Sequence, residues 1–238
     1  MDWGQKMKVS IIVPNHGRDL SELWKSVNQS TVKPDEVKVI DVGRERSYQR
    51  NKGIKESTGD ILIILDSDQS ISQELIKEAK HLIDFGYTAL YVPEIIIADS
   101  FFGKIRKFER EFYTGTAVDV PRIVLKKACP LFDETLNGPE DSHWGRQIQG
   151  LRAITKNPLF HHDDISFFEY CKKKAYYSKS MKRYQELNPD CKCLDLKYRC
   201  FQIFVESGKW KKLIRHPILS IGIFFIIFVR GIIYYARR

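Results

Sequence analysis

Two carboxylates one residue apart, Asp66 and Asp68, close the apolar run Ile61-Leu62-Ile63-Ile64-Leu65. A run this short and rich in β-branched residues reads as a strand buried on both faces, as in a parallel sheet. Ligands of open α/β sheets bind just beyond the carboxyl ends of the strands. Side chains two apart in extended chain point the same way. Asp66 and Asp68 could therefore share one hard divalent cation, Mg2+ or Mn2+, with a phosphate as co-ligand. A turn after a strand explains Asp66-Ser67-Asp68 equally well, since Asp and Ser are common turn residues.

The elements around this pair alternate. Val9–Val13 reads as a strand stopped by Pro14, and residues 19–28 as a helix capped by Asp19 or Ser21, with Leu20, Leu23, Trp24 and Val27 on one face. Val37–Ile40 is a second strand ending at Asp41, residues 49–57 a short helix, residues 73–85 another, and Thr88–Val92 a strand stopped by Pro93. Such alternation predicts an α/β fold, a doubly wound, mostly parallel sheet with right-handed crossovers and a Rossmann-like nucleotide-binding character.

Charge is unevenly spread. Residues 171–238 carry 16 Lys and Arg against 4 Asp and Glu, so a surplus of +12 there leaves −3 for residues 1–170 within the total of +9. A basic tail suits nucleic acid or an anionic membrane surface. The tail also holds thirteen uncharged residues from Pro217 to Val229, then Arg230, then Gly231 to Ala236 before Arg237 and Arg238. Twenty residues match a bilayer core, with Arg230 as the obstacle unless it snorkels. The expected partner is therefore a membrane, spanned or lain upon, and no nucleic acid. Between the two parts, Phe167 to Leu187 interleaves Phe167, Phe168, Tyr170, Tyr176, Tyr177 and Tyr184 with Lys172, Lys173, Lys174, Lys179, Lys182 and Arg183. This reads as a basic helix with aromatic anchors at a bilayer surface. The predicted organisation is residues 1–165 as catalytic domain, 166–207 as membrane-interface helices and 208–238 as anchor. Five scattered cysteines, odd in number, and an N-terminus, Met1-Asp2-Trp3-Gly4, without an apolar h-region predict a reducing compartment. Cys191-x-Cys193 alone is a weak zinc signal.

Five ordered motifs across residues 8–185 together resemble the family 2 glycosyltransferases of the GT-A fold. Val9-Ser10-Ile11-Ile12-Val13-Pro14 resembles their opening strand, followed here by Asn15. Val39-Ile40-Asp41 is similar to the strand whose Asp holds the nucleotide base, and Arg50-Asn51-Lys52-Gly53-Ile54 to their R-N-x-G-I. Asp66-Ser67-Asp68 is similar to their D-x-D. Phe132-Asp133-Glu134 with Gly138-Pro139-Glu140-Asp141 resembles the acceptor-side signature. Arg122, the triplet His162-Asp163-Asp164, the basic Tyr-rich stretch and the apolar tail are similar to a membrane-attached subgroup common in archaea. The resemblance implies donor binding by Pro14, Asn15, Asp41, Arg50, Asp66, Ser67 and Arg122. It implies metal binding by Asp66, Asp68 and His162, with His162 alternatively contacting the diphosphate. Where many relatives carry D-D-G-S, this chain has Asp41-Val42-Gly43-Arg44 and lacks the second carboxylate.

The chemistry follows from what transfer of a sugar requires. The leaving nucleoside diphosphate, UDP or GDP, must be neutralised, which a cation on Asp68 would do. A hydroxyl acceptor must lose its proton to a carboxylate on the far side of the anomeric carbon. Asp141 is the candidate base and Glu140 the candidate positioning group, although a carboxylate at a helix N-terminus is favoured by the dipole in any case. A single displacement inverts the anomeric centre. Expected acceptors are lipid-linked or surface glycans. The alternative is a polyprenyl-phosphate monosaccharide synthase, whose ionised phosphate acceptor needs no base; an inactive scaffold of the same fold is a lesser one. Nucleotide sugars are made in the cytosol, so the catalytic domain is expected on the cytoplasmic face of the cell membrane. His161 and His162 are adjacent at a strand end, so only one of them can face the site.

Overall fold

The computed structural model describes residues 7–235; Met1 to Gly4, and Ala236, Arg237 and Arg238 at the far end of the tail, lie outside them. The strands are β1 (Val9–Pro14), β2 (Glu36–Ile40), β3 (Ile61–Ile64), β4 (Gln69–Ile71), β5 (Ala89–Tyr91), β6 (Glu94–Ile96), β7 (Ile123–Leu125), β8 (Arg152–Ile154) and β9 (Leu159–His161). The helices are α1 (Ser21–Gln29), α2 (Arg46–Glu56), α3 (Leu75–Asp84), α4 (Phe101–Arg110), α5 (Glu140–Gln147), α6 (Phe167–Tyr177), α7 (Met181–Leu187), α8 (Ile203–Val205), α9 (Trp210–Arg215) and α10 (Pro217–Tyr235).

Six strands form one sheet in the order β2-β1-β3-β7-β5-β8. β1 runs parallel to β2 and β3, β5 parallel to β8, and β7 antiparallel to both its neighbours. Alternation along β1 and β3 divides the core. Val9, Ile11, Val13, Ile61 and Ile63 pack with Leu23, Val27, Leu75 and Ile76 on one face. Ile12, Leu62 and Ile64 pack with Ile54, Phe132 and Trp144 on the other. Both faces of these strands are buried, as an unbroken apolar run requires. On α1, Leu23 and Val27 point inward but Trp24 is exposed, narrowing the predicted apolar face.

A second, three-stranded sheet, β4-β9-β6, stands at the carboxyl ends of the main strands. Its register sets Gln69 and Ile96 opposite His161. One histidine of the His161-His162 pair is thereby fixed beside the residue that follows Asp68.

The predicted single basic helix is broken in two. α6 begins with a capping box, in which the Ser166 hydroxyl accepts from the Glu169 amide and the Glu169 carboxylate accepts from the Ser166 amide. It ends in a 3-10 turn over Ser178–Ser180 before α7. Tyr170 and Tyr184 are buried rather than lipid-facing. A third apolar cluster joins α4, α6, α8 and α10 through Ile105, Phe108, Tyr170, Ile203, Phe204, Ile223 and Ile226. α10 approaches α4 at Gly222, where a β-carbon would collide with Ile105. Cys191 and Cys193 are joined as a disulfide, so this pair is not free and offers no zinc half-site.

Candidate active site

β3 ends at Ile64, so the Asp66–Asp68 stretch is a turn and not extended chain. The two carboxylates therefore take different partners. Asp66 Oδ1 accepts from Arg50 Nη2 at 2.6 Å, and its Oδ2 lies 3.6 Å from Arg122 Nη1. Asp68 Oδ2 accepts from Arg18 Nη1 at 2.6 Å, and its Oδ1 lies 3.3 Å from His161 Nε2. Burial alone would raise both carboxyls, but Arg50 and Arg122 hold Asp66 well below the usual range, and His161 and Arg18 lower Asp68.

Asp68, His161 and Asp163 present ligand atoms within 4.8 Å of one another. This set places His161 and Asp163 beside Asp68, where the resemblance implied Asp66 and His162. His162 makes a hydrogen bond to the Ser70 hydroxyl through Nε2 at 2.9 Å, while His161, on the opposite face of β9, turns to Asp68 and to Glu94. Burial would lower His161, but its hydrogen bonds to Asp68 and Glu94 push it up to about 9. Without a cation, an imidazolium therefore sits between these carboxylates. Two carboxylates and an imidazole this close form a donor set of the kind that can share one divalent cation. Arg18 and Arg106, the latter 2.7 Å from Asp163 Oδ2, are the positive charges that balance the set.

On the other side stands the G-P-E-D segment. Gly138 has φ +103°, and Tyr177 lies where its side chain would be. Glu140 and Asp141 open α5. Glu140 is buried and binds Arg46 Nη2 at 2.9 Å, and its other oxygen accepts from the Gly138 amide. Burial and the neighbouring Asp141 raise its carboxyl. Asp141 Oδ1 accepts from Arg50 Nη1 at 2.5 Å, with a quarter of its side chain exposed.

Arg50 is thus a buried strut between the D-x-D turn and the E-D pair, and its guanidinium lies 5.1 Å from the centre of the Phe132 ring. The next residue, Asn51, holds the loop that leads to Gly138. Its amide nitrogen donates to Phe132 O at 3.0 Å and to Glu134 Oε1 at 2.8 Å, and its Oδ1 accepts from the Phe132 amide at 2.7 Å. Removing Arg50 would leave Asp141 without its ion-pair partner and, among the described residues, Asp66 and Glu140 with only Arg122 and Arg46, respectively. We expect Arg50→Met to destabilise the fold by about 3–5 kcal/mol, the usual cost of breaking a buried pair. Equilibrium denaturation measures it, and a loss below about 1 kcal/mol would contradict the strut.

The remaining predicted residues gather at the carboxyl ends of β1 and β2. The Asn15 amide donates to Ile40 O at 2.8 Å, which sets Pro14 and Asn15 beside Asp41, and Asp41 is exposed. Ser67 lines a cavity of about 320 Å³ with Arg18, Asp68 and His162. Arg122 spans Asp66 and Glu94, each at 3.6 Å. The buried Nε groups of Arg50 and Arg122 have no hydrogen-bond partner among the described residues. Arg18, Arg46, Glu94 and His161 are contributors that motif reading missed. Only for His161 was there a signal, the period of two along a strand.

Residues 33–137 match the model of the family described as Glycosyl transferase family 2. Three solved structures share the fold. TarS 1-349 of S. aureus superposes with a TM-score of 0.53 at 16% identity, covering 97% of this chain and 87% of that one. Its complex with UDP-GlcNAc gives 0.50 at 15%, covering 97% and 91%. The mannosyltransferase PcManGT of Pyrobaculum calidifontis, in complex with GDP-Man and Mn2+, gives 0.55 at 14%, covering 98% and 75%. No curated protein matches the sequence. The fold is of the GT-A type, a mixed, mostly parallel sheet between helices. Residues 33–137, less than half of the chain, are thus similar to that family, and the whole chain shares its fold with these solved structures.

Proposed function

We propose that this enzyme transfers a sugar from a UDP- or GDP-linked donor to a hydroxyl of a lipid-linked or surface glycan, with inversion and with help from a divalent cation. One observation carries the reading: buried Arg50 ties Asp66 to Glu140 and Asp141, and Arg122 ties Asp66 to Glu94, the partner of His161 in the Asp68–His161–Asp163 set. PcManGT, with GDP-Man and Mn2+ bound, supports the donor class and the cation.

Asp68, His161 and Asp163 would hold the cation, which when bound supplies positive charge to the departing diphosphate. Arg18, more than half exposed, can leave Asp68 and meet the same phosphates. Arg122 offers its unpaired Nε to an anionic ligand, since buried donors are rarely left unsatisfied. Asp41, at the edge of the sheet beside Pro14 and Asn15, is placed to receive the base. Asp141 takes the acceptor proton, with Arg50 fixing its orientation, and Glu140 holds Arg46 and the start of α5. Assay of nucleotide release together with the anomer of the product by NMR tests this. A product retaining the donor's anomeric configuration would contradict it.

Among the described residues one helix, Pro217–Tyr234, is long and apolar enough to cross a membrane, with a mean hydropathy of 2.2 and only 17% of its residues buried. A core helix of a soluble protein would be mostly buried. Arg230 Nη2 lies 2.5 Å from Glu109 and its Nε donates to Tyr170 at 2.9 Å, so the inner side of α10 is ion-paired to the catalytic domain. Ile218, Ile221, Phe225, Phe228 and Ile232, spaced by three and four, form an exposed stripe on the outer side. The reading is therefore a helix lying in the cytoplasmic leaflet of the cell membrane, with the domain docked on it. Ile221→Ser, Phe225→Ser and Phe228→Ser together should weaken partition onto anionic vesicles by about 10²-fold or more, given about 1.5–3 kcal/mol per buried side chain. Co-sedimentation measures it, and unchanged partition would contradict the membrane reading.

A further inference from the structure

A cavity of about 620 Å³ lies between the α6–α7 segment, residues 193–200 and the last turns of α10. It is twice the size of the cavity at Ser67, and its volume is ordinary for a small-molecule site. Its lining divides by chemistry. Lys179, Lys182, Arg199 and Arg230 bring four cations, of which Arg230 is already neutralised by Glu109. Met181, Leu194, Ile227 and Tyr234 supply apolar surface, and no lining residue is Asp or Glu. An uncompensated positive rim beside an apolar floor is complementary to a molecule that is anionic at one end and hydrocarbon at the other.

Position narrows the ligand further. α10 contributes Ile227, Gly231 and Tyr234 to the groove, while its neighbouring face carries the exposed apolar stripe from Ile218 to Ile232. The groove thus borders the surface read above as membrane-embedded. At its other end Ser178 follows Tyr177, whose hydroxyl accepts from Arg46 Nη2 at 3.2 Å, and Arg46 pairs with Glu140. The end of α6 therefore borders the groove directly and reaches Glu140 through Arg46.

We propose that this groove binds a lipid phosphate, its phosphate on Lys179, Lys182 and Arg199 and the first part of its chain along Met181, Leu194, Ile227 and Tyr234. The identification of that lipid as the carrier of the acceptor rests on the proposed glycosyltransferase reaction; the binding itself does not. Held there, the lipid phosphate presents the glycan attached to it toward Asp141, and Asp141 meets a sugar hydroxyl and not the phosphate.

The test uses the full chain in neutral detergent with farnesyl phosphate as probe, and farnesol and inorganic phosphate as separate arms. Lys179→Gln with Lys182→Gln removes two exposed cations. Gly231→Leu adds a side chain on the groove wall where no atom lies within 4 Å of the new β-carbon, and it favours the helix. Calorimetry should show farnesyl phosphate binding more tightly than either control. Its affinity should fall about tenfold or more in each variant, as expected for lost charge-assisted hydrogen bonds and a filled groove. Cation-dependent UDP or GDP binding should persist in both. Equal affinity of variants and wild type for farnesyl phosphate, or inorganic phosphate binding as tightly, would overturn the groove assignment. Absence of nucleotide binding with farnesyl phosphate binding intact would instead overturn the reaction and leave the groove standing.

Discussion

Asp68→Ala is expected to reduce transfer by about 10²–10⁴-fold and to remove the cation dependence of nucleotide binding. Several kcal/mol of transition-state stabilisation are at stake when the leaving diphosphate loses its compensating charge, and each 1.4 kcal/mol is tenfold in rate. Asp68 is the member of the Asp68–His161–Asp163 set nearest the proposed diphosphate contact Arg18, so no neighbour replaces it. The fold should hold, because Asp68 lies in a turn outside the apolar clusters. Calorimetric titration of UDP and GDP with and without Mn2+ gives a readout separate from turnover. Unchanged Mn2+-dependent binding in the variant would sink the assignment.

Asp141→Asn separates the hydroxyl acceptor from the phosphate acceptor. As general base its loss should lower the initial rate at saturating donor by about 10²–10⁴-fold. Donor affinity should survive, because Asp41, Asp68 and Arg122 are untouched and Arg50 keeps Asp66 and Glu140. A polyprenyl phosphate acceptor is already ionised at neutral pH, so the same variant would then act nearly as wild type. Rates on lipid extracts and on synthetic polyprenyl phosphate decide. A near-wild-type rate would promote the phosphate-acceptor synthase.

What the sequence made legible was the backbone scaffold and the identity of the carboxylates. β1 and β3 could be read because apolar runs buried on both faces have few other homes, while Asp141 was singled out by the resemblance of Gly138-Pro139-Glu140-Asp141 to an acceptor-side signature. The partners of those carboxylates could not be read. Arg50 in its motif suggested a donor contact, yet its guanidinium is buried among Asp66, Glu140 and Asp141, a fact that depends on residues ninety positions apart. Arg18, Arg46 and Glu94 belong to no spacing pattern, since the tertiary fold alone brings them in. The extended geometry assumed for Asp66 and Asp68 failed because β3 stops two residues before Asp66. Strand alternation says that His161 and His162 differ and not which of them faces Asp68; in the structure His161 does, while His162 meets Ser70. Arg230 looked like an obstacle to membrane insertion, and its partner Glu109 lies on a helix that no tail composition could reveal.

A nucleoside diphosphate sugar is proposed to bind at the carboxyl ends of β1 to β3, with a divalent cation held by Asp68, His161 and Asp163. Isothermal titration of the full-length protein with UDP- and GDP-sugars, in Mn2+ and again in excess EDTA, tests it most directly. At least one donor should bind in Mn2+, and chelation should weaken it by about tenfold or more. Binding of equal strength in EDTA, or no binding of either donor class in Mn2+, would contradict it.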